Sequence, residues 1–181
     1  MKTLIAYYSF TGNNAILATL LKERLGADLY EITEPRPRRG ITILLDILFG
    51  RKPKINPPPV TATRYDRVVL VGPVWNAKIA SPVAAFLGWM KGKIPSYGYV
   101  TLCGGRDGQQ EKMERQLSRL AGKPPLFVRQ LALRDWLPEN RKQSAGKGPS
   151  IKISETDLAS FRPAIDELVG ELSPITAKLI L

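Results

Sequence analysis

Two hydroxyl-bearing residues, a glycine and two asparagines cluster near the start of the chain in the segment SFTGNN, residues 9–14. Ser9 and Thr11 offer hydroxyl groups, and Gly12 allows the backbone to turn tightly before a predicted helix that begins near Asn13. The N–H groups at the N-terminus of a helix carry partial positive charge and bind anions. The segment therefore predicts either a phosphate-binding turn or a strand-to-helix turn in which Thr11 or Asn13 caps the helix.

Two other phosphate-binding sequences are excluded at this position. A Walker loop needs the spacing Gly-x-x-x-x-Gly-Lys, and neither that spacing nor its lysine is present. A dinucleotide fingerprint needs three spaced glycines, whereas this segment contains only Gly12. A phosphate bound here would be held by hydroxyl groups and helix amides.

Short β-rich runs alternate along the chain with stretches whose apolar residues recur every three or four positions. This alternation is typical of an α/β protein, and it predicts one domain over residues 1–181 with a doubly wound, five-stranded parallel sheet and helices on both faces. The predicted strands are residues 3–8, 28–32, 67–71, 97–102 and 126–131. The predicted helical faces carry Ile16, Leu17, Leu20 and Leu21; Val83, Leu87 and Met90; Met113, Leu117 and Leu120; and Leu158, Phe161, Ile165, Leu168 and Leu172.

The last predicted helix has two alternative starts. Ser154 and Asp157 resemble a capping box, which favours a start just after Ser154. Pro163 is tolerated only in the first turn of a helix, which favours a start near Ser160.

Composition excludes several kinds of chemistry. Lys and Arg number 27 against 16 Asp and Glu, so the chain carries a net charge of +11 and acidic partners are expected. The absence of histidine excludes histidine acid–base catalysis, and the single cysteine, Cys103, excludes an internal disulfide and a cysteine-ligated metal site. No catalytic residue and no metal site are predicted. No signal peptide or membrane span is recognised, so a soluble cytoplasmic protein is expected.

Three segments fall at the edge of the predicted sheet where ligands bind, beyond the carboxyl ends of the strands. They are SFTGNN after the first strand, GPVWNAKIASPV after the third and CGGRDG after the fourth. Together they resemble the flavodoxin family, whose fold is a five-stranded parallel sheet and whose cofactor is FMN. The family's phosphate loop, Ser/Thr-x-Thr-Gly-Asn-Thr, is matched by Ser9, Thr11, Gly12 and Asn13, whereas Asn14 replaces the final hydroxyl residue.

The resemblance implies a role for each of the other two loops. GPVWNAKIASPV is similar to the Gly-x-Pro-x-Trp segment that wraps the isoalloxazine ring, so Trp75 would stack on the ring and Asn76 would let a backbone carbonyl face flavin N5. CGGRDG is similar to the third flavin loop and would place Arg106 and Asp107 at the pyrimidine edge. Without a flavin, Trp75 would be a half-buried aromatic, Asn76 a turn residue and Cys103 a small buried residue. The implied cofactor-binding residues are Ser9, Thr11, Gly12, Asn13, Asn14, Pro73, Val74, Trp75, Asn76, Ala77, Lys78, Cys103, Gly104, Gly105, Arg106 and Asp107.

The resemblance also implies electron transfer between redox partners. The alternative is an NAD(P)H-dependent enzyme that reduces quinones or similar small acceptors. Receiver domains share the fold but need acidic residues at the end of the first strand, where this chain has Tyr7, Tyr8 and Ser9. Lys78 and Arg106 in the ring loops, only partly offset by Asp107, are expected to favour the reduced, negatively charged flavin. The net charge of +11 is expected to favour an acidic redox protein as partner, and a small electron acceptor is the alternative.

The segment ITILLDILFG, residues 41–50, is apolar on nearly every side and lies within the basic stretch 36–54. Arg36, Arg38 and Arg39 precede it, and Arg51, Lys52 and Lys54 follow it. A parallel connection between strands two and three requires a crossover, which favours a plain crossover helix. A membrane-surface contact, a dimer contact or a cap over the flavin site are the alternatives. Nucleic acid is not favoured, because stacking aromatics and a recognition motif are absent.

Overall fold

The computed structural model of the protein describes residues 1–36, 40–51, 53–57, 64–136 and 152–173. Strands and helices alternate along it, as the sequence predicts. In chain order the elements are β1 (Thr3–Tyr7), α1 (Asn13–Leu25), β2 (Asp28–Glu31), α2 (Gly40–Phe49), β3 (Arg67–Val71), β4 (Val74–Trp75), β5 (Lys78–Ile79), α3 (Ser81–Trp89), β6 (Tyr97–Cys103), α4 (Gln109–Ala121), β7 (Val128–Ala132), α5 (Leu133–Trp136), α6 (Glu155–Ala159) and α7 (Arg162–Leu172).

Five strands form a single parallel sheet in the order β2-β1-β3-β6-β7. When only these five strands are counted, the order is 2-1-3-4-5, which is the flavodoxin-like order of doubly wound folds. The two short strands β4 and β5 form a separate antiparallel hairpin. The predicted fold class is confirmed.

The predicted strand boundaries differ most at β7. Leu126 was expected to begin this strand, but its regular pairing with β6 begins at Val128, which lies opposite Tyr99. Leu126 still donates its backbone N–H to the Tyr97 carbonyl at 2.7 Å, while its side chain is 64% exposed. Leu126 therefore lengthened the hydrophobic run in the sequence, although its side chain lies outside the core.

Side chains alternate between the two faces of the central strands, and each face has its own apolar core. Leu4 and Val68 point to the face covered by α3 and α4, whereas Ile5 and Val69 point to the face covered by α1 and α7. This alternation follows from the two-residue period of a strand. Helices therefore cover both faces, and the open edge at the strand ends is left for loops.

The two alternative starts of the last helix both occur, because the segment forms two helices. Ser154 Oγ accepts the backbone N–H of Asp157 at 3.1 Å, and Asp157 Oδ2 accepts the backbone N–H of Ser154 at 2.8 Å, which is a complete capping box for α6. Phe161 is the N-cap of α7, and Pro163 lies in its first turn, where no backbone N–H is needed.

The apolar segment predicted as a crossover helix is α2, and it joins β2 to β3. None of its residues is buried, and Ile41, Leu44, Leu48 and Phe49 are 50–66% exposed. Arg38, Arg39 and Lys52, which the sequence places beside it, lie outside the described residues. Among the helices that the structure describes, none combines the length and the apolar character needed to cross a membrane.

Candidate functional site

A cleft of about 350 Å³ opens at the carboxyl ends of β1, β3 and β6. β1 lies between β2 and β3 in the sheet. The connection after β1 therefore leads to the strand on one side of β1, and the connection after β2 leads to the strand on its other side. Such a switch point is where doubly wound folds bind ligands. The cleft is lined by Phe10, Thr11, Asn13, Asn14, Ile43, Ile47, Pro73, Val74, Trp75, Asn76, Ala77, Leu102, Cys103, Gly104, Gly105, Arg106, Gln109 and Leu133.

The turn between β1 and α1 presents an uncapped helix N-terminus to the cleft. Gly12 is the N-cap residue with φ of 95°, and no side chain forms a cap hydrogen bond there. Ser9 Oγ accepts the Gly12 N–H at 3.1 Å, which shapes the turn and leaves the Ser9 hydroxyl proton available for donation. The alternative in which Thr11 or Asn13 caps α1 is therefore wrong, because a glycine in the left-handed region occupies the cap position.

The two asparagines of this turn are buried and bind the protein's own backbone. Asn14 Oδ1 accepts the Leu102 N–H at 3.0 Å, and Asn14 Nδ2 donates to the Leu102 carbonyl at 3.2 Å. Asn13 Oδ1 accepts the N–H of Ile153 at 3.1 Å. The side chain that replaces the family's final hydroxyl residue thus ties α1 to β6.

The hairpin formed by β4 and β5 makes one wall of the cleft. Its two loop residues, Asn76 and Ala77, have φ of 50° and 57°. Positive φ at both positions is the requirement of a type I′ turn, whose twist suits a two-residue hairpin. Asparagine adopts this region readily and alanine does not, so Ala77 carries a conformational cost of about 1–2 kcal/mol.

Trp75 lies in this hairpin and is held by two aromatic neighbours. Its ring centroid is 6.1 Å from that of Tyr8 and 6.4 Å from that of Phe10, both in edge-to-face geometry. Such pairs add about 0.5–1.5 kcal/mol beyond the area that they bury. The indole ring is thereby held, half-buried, beside the turn that precedes α1.

The loop after β6 approaches the hairpin from the opposite side. Gly105 has φ of 83°, and a Cβ there would lie 2.6 Å from the Cβ of Ala132, so this position requires glycine. Arg106 Nη1 donates to Asn76 Oδ1 at 3.4 Å, which links this loop to the hairpin. The two loops that the sequence assigned to one ligand therefore meet.

Cys103 ends β6 as a buried free thiol. Burial raises the pKa of the Cys103 thiol, and Gln109 Nε2 donates to Cys103 Sγ at 3.4 Å. A thiol with a raised pKa is a poor nucleophile at neutral pH. The structure therefore favours the interpretation of Cys103 as a small buried residue, here in the wall of the cleft.

Two of the charged residues expected around the ring lie outside this cleft. Asp107 Oδ1 accepts a hydrogen bond from Arg134 Nη2 at 2.6 Å, and this bond and the Arg134 charge lower the pKa of the Asp107 carboxyl. Lys78 Nζ donates to the Ile47 carbonyl at 3.3 Å, near the C-terminal end of α2. Of the three charged residues predicted for the site, only Arg106 lines the cleft.

Of the other predicted residues, Ser9 and Gly12 shape the turn without lining the cleft, and the rest line it. Sequence reasoning missed several wall residues. Ile43 and Ile47 come from α2, whose apolar sequence had suggested a cap over the site as one alternative. Phe10 belongs to the segment SFTGNN, but an apolar side chain does not indicate phosphate binding. The remaining missed residues are Leu102, Gln109 and Leu133.

No protein-family model matches the sequence, and no curated protein matches it either. Solved structures do match. The flavoprotein of Lactobacillus acidophilus, solved in complex with FMN, aligns with a TM-score of 0.62 and 19% identity over 80% of this chain and 98% of that chain. A flavoprotein of Bacteroides eggerthii aligns with a TM-score of 0.63 and 21% identity over 83% of this chain and 99% of that chain. A flavoprotein of Bacteroides uniformis aligns with a TM-score of 0.62 and 21% identity over 79% of this chain and 96% of that chain. With its strand order and these neighbours, the chain has the flavodoxin-like fold.

Proposed function

We propose that this protein binds FMN in the 350 Å³ cleft and transfers electrons between redox partners in the manner of a flavodoxin. One observation carries the proposal. An uncapped helix N-terminus opens at one end of the cleft, and a positioned tryptophan forms part of its wall. A phosphate monoester joined to a flat aromatic ring system matches both features.

The turn at residues 9–14 suits the phosphate. A Cβ built on Gly12 would meet no atom within 4 Å, so the space beside the helix N-terminus is open. The first turn of α1 contains no acidic residue that would repel an anion. Ser9 and Thr11 can add hydroxyl hydrogen bonds to those from the helix amides.

The two other loops suit the ring. Trp75 and Pro73 supply apolar surface, and Gly104 and Gly105 let the backbone come close without side chains. Arg106 supplies a positive charge at the wall that the hairpin shares with the loop after β6. Bound FMN would supply the redox chemistry, while these residues would orient it and shield it from water.

Two further observations support the proposal. The structural neighbour from Lactobacillus acidophilus is a complex with FMN. The net charge of +11 gives the surface an affinity for acidic groups, so we propose an acidic redox protein as the docking partner, with a small electron acceptor as the alternative. Docking driven by charge weakens as ionic strength rises.

Fluorescence titration of the FMN-free protein with FMN tests the proposal. We expect saturable binding, and we expect Thr11→Ala to weaken it by at least about tenfold, because a hydrogen bond to a charged group contributes about 1.5–3 kcal/mol. Ser118→Ala is the matched control, since Ser118 Oγ donates to the Glu114 carbonyl at 2.8 Å on α4, away from the cleft. Absence of FMN binding by the unmodified protein would contradict the proposal.

Steady-state oxidation of NADPH and NADH by the FMN-loaded protein separates the two kinds of function. A pure carrier exchanges electrons with a reduced protein partner and oxidises free nicotinamide slowly. Rapid turnover with a quinone as acceptor would instead establish the reductase alternative.

A further inference from the structure

A second cleft of about 630 Å³ lies beside the β4–β5 hairpin. The C-terminal end of α2, the hairpin, the start of α3 and one face of α4 enclose it. It shares five wall residues with the first cleft, namely Ile47, Trp75, Asn76, Ala77 and Arg106. Its volume falls within the range of about 300–1,000 Å³ typical of small-molecule sites.

This second cleft is strongly basic. Its described lining includes five cationic side chains, Arg51, Lys78, Arg106, Lys112 and Arg119. Among the described residues, none of the five has a carboxylate oxygen within 4.0 Å. Cations that converge on a concave surface without carboxylate partners create a positive potential that concentrates anions.

The two acidic residues of the same wall accept hydrogen bonds from residues other than these five cations. Asp46 Oδ2 accepts a hydrogen bond from Ser81 Oγ at 2.6 Å, at the N-terminus of α3. Asp107 Oδ1 accepts from Arg134 Nη2 at 2.6 Å. Five positive and two negative lining charges therefore leave an excess of three positive charges for an incoming ligand.

The α4 face that lines this cleft is fixed in position. Lys112, Gln116, Arg119 and Leu120 fall on one side of the helix at spacings of three to four residues. Gln116 Oε1 accepts the backbone N–H of Ile79 at 3.0 Å, which anchors this side of α4 against β5. The two cations of α4 are thus held at a set distance from the hairpin.

We propose that the second cleft binds a small organic molecule that carries phosphate groups. Arginine guanidinium groups pair with phosphate oxygens through two parallel hydrogen bonds, and lysine adds a point charge. The apolar lining residues Ile47, Ile79, Ala84 and Leu120 favour a ligand with an uncharged body over a bare ion. The first cleft lacks four of the five cations, which separates this site from the proposed FMN site.

Binding of the phosphorylated molecule does not depend on FMN. Beside the wall that the two clefts share, the phosphorylated molecule would lie next to the flavin. A role for this molecule as electron donor or acceptor rests on the proposed function. Occupancy of the cleft is a separate property of the chain and is tested separately.

Isothermal titration of the FMN-free protein with inorganic pyrophosphate at low ionic strength tests this inference. We expect saturable binding that Arg119→Gln weakens about tenfold, the loss expected from one charge-assisted hydrogen bond of about 1.4 kcal/mol. Arg115→Gln is the matched control. It removes the same charge from the same helix at a position that does not line the cleft, so we expect a change of about twofold or less.

Three results would overturn the inference. The first is an absence of pyrophosphate binding by the unmodified protein, and the second is an equal loss of affinity in the two variants, which would indicate a diffuse surface charge effect. The third is wild-type affinity in both variants, which would place pyrophosphate at the turn of residues 9–14 instead. Because the titration contains no FMN, a failure of this inference remains distinct from a failure of FMN to bind the first cleft.

Discussion

Asn14 is the residue at which the phosphate turn departs from the pattern of the flavodoxin family, and its side chain serves the protein's own structure. It is 3% exposed and bonds both the N–H and the carbonyl of Leu102. A serine or threonine is too short to reach both groups. The side chain of Asn14 therefore links α1 to β6, and in the proposed FMN complex the phosphate contacts would come from the helix amides and the hydroxyls of Ser9 and Thr11.

We expect Asn14→Ala to lower the free energy of unfolding by about 2–4 kcal/mol, because it leaves two buried backbone groups of Leu102 without partners. Urea unfolding measures this change. Asn56→Ala is the control, since Asn56 donates to Thr33 Oγ1 at 2.9 Å on the surface and its loss should cost about 1 kcal/mol or less. Unchanged stability together with weaker FMN binding would show that Asn14 acts on the phosphate instead.

Arg106 is the single charged side chain in the wall of the proposed FMN cleft as described. A nearby positive charge stabilises the more negative, fully reduced cofactor, so we expect Arg106→Ala to make the second reduction midpoint more negative. An exposed charge contributes about 0.5–1 kcal/mol, which corresponds to roughly 20–40 mV for one electron.

Redox titration of the FMN-loaded protein measures this shift, and Arg115→Ala on α4 is the control with the same loss of net charge. A shift toward positive potential in Arg106→Ala, or the same shift in both variants, would mean that Arg106 does not act on the cofactor. Lys78 was predicted to contribute to the same effect, but it does not line this cleft, and its Nζ donates to the Ile47 carbonyl.

Among the helices that the structure describes, α2 is held least by burial of its side chains, although it supplies Ile43 and Ile47 to the cleft wall. It is connected to the hairpin by the hydrogen bond from Lys78 Nζ to the Ile47 carbonyl, and to α3 by the hydrogen bond from Ser81 Oγ to Asp46 Oδ2. A helix with no buried residue gains little from the hydrophobic effect. Its position therefore depends on these polar contacts more than the positions of the sheet helices do.

The β4–β5 hairpin stores strain in its own loop at Ala77. We expect Ala77→Gly to raise the free energy of unfolding by about 0.5–1 kcal/mol, because relief of the left-handed conformation exceeds the added freedom of glycine in the unfolded chain. Ala84→Gly in α3 should have the opposite effect, a loss of about 0.5–1 kcal/mol, because its backbone is helical. Thermal and urea unfolding distinguish the two signs. Destabilisation by Ala77→Gly would contradict the left-handed assignment.

For the whole molecule, the free energy of unfolding has no contribution from histidine titration between pH 5 and 8, because the chain contains no histidine. The alkaline range is different. Burial raises the pKa of Tyr97 to about 12, and burial also raises the pKa of Tyr99. Tyrosine in an unfolded chain titrates near pH 10, so the unfolded state loses its protons first. The stabilisation is fully present below about pH 10 and is lost as pH rises toward the folded-state pKa.

We therefore expect the free energy of unfolding to fall steeply between about pH 10 and 12. Tyr97→Phe should show a shallower fall, even though it loses the hydrogen bond from Tyr97 Oη to the Lys123 carbonyl at 2.9 Å and is less stable at neutral pH. Urea midpoints measured across this range test the slope. An identical slope in the two proteins would mean that Tyr97 is not the group that titrates.

The class of fold can be predicted from the amino-acid sequence, because the periods of apolar residues in strands and helices are local properties of the chain. The sequence also located the turn at Gly12, because that turn depends on the conformational range of a single residue. The positions of four strands follow to within one residue from β-rich runs. The same reasoning fails at Leu126, because apolar character alone does not distinguish a residue of a buried strand from an exposed residue that precedes the strand.

The contacts that the polar and charged side chains of the site make follow only from the folded structure. Asn14 finds its partner 88 residues away and Asn13 finds its partner 140 residues away, and no local pattern encodes such pairings. The same holds for α2, whose Ile43 and Ile47 reach the cleft only once the crossover has folded over the sheet edge. The direction of a long side chain such as Lys78 depends on which carbonyl or charge lies within its reach, and that is set by packing between distant elements.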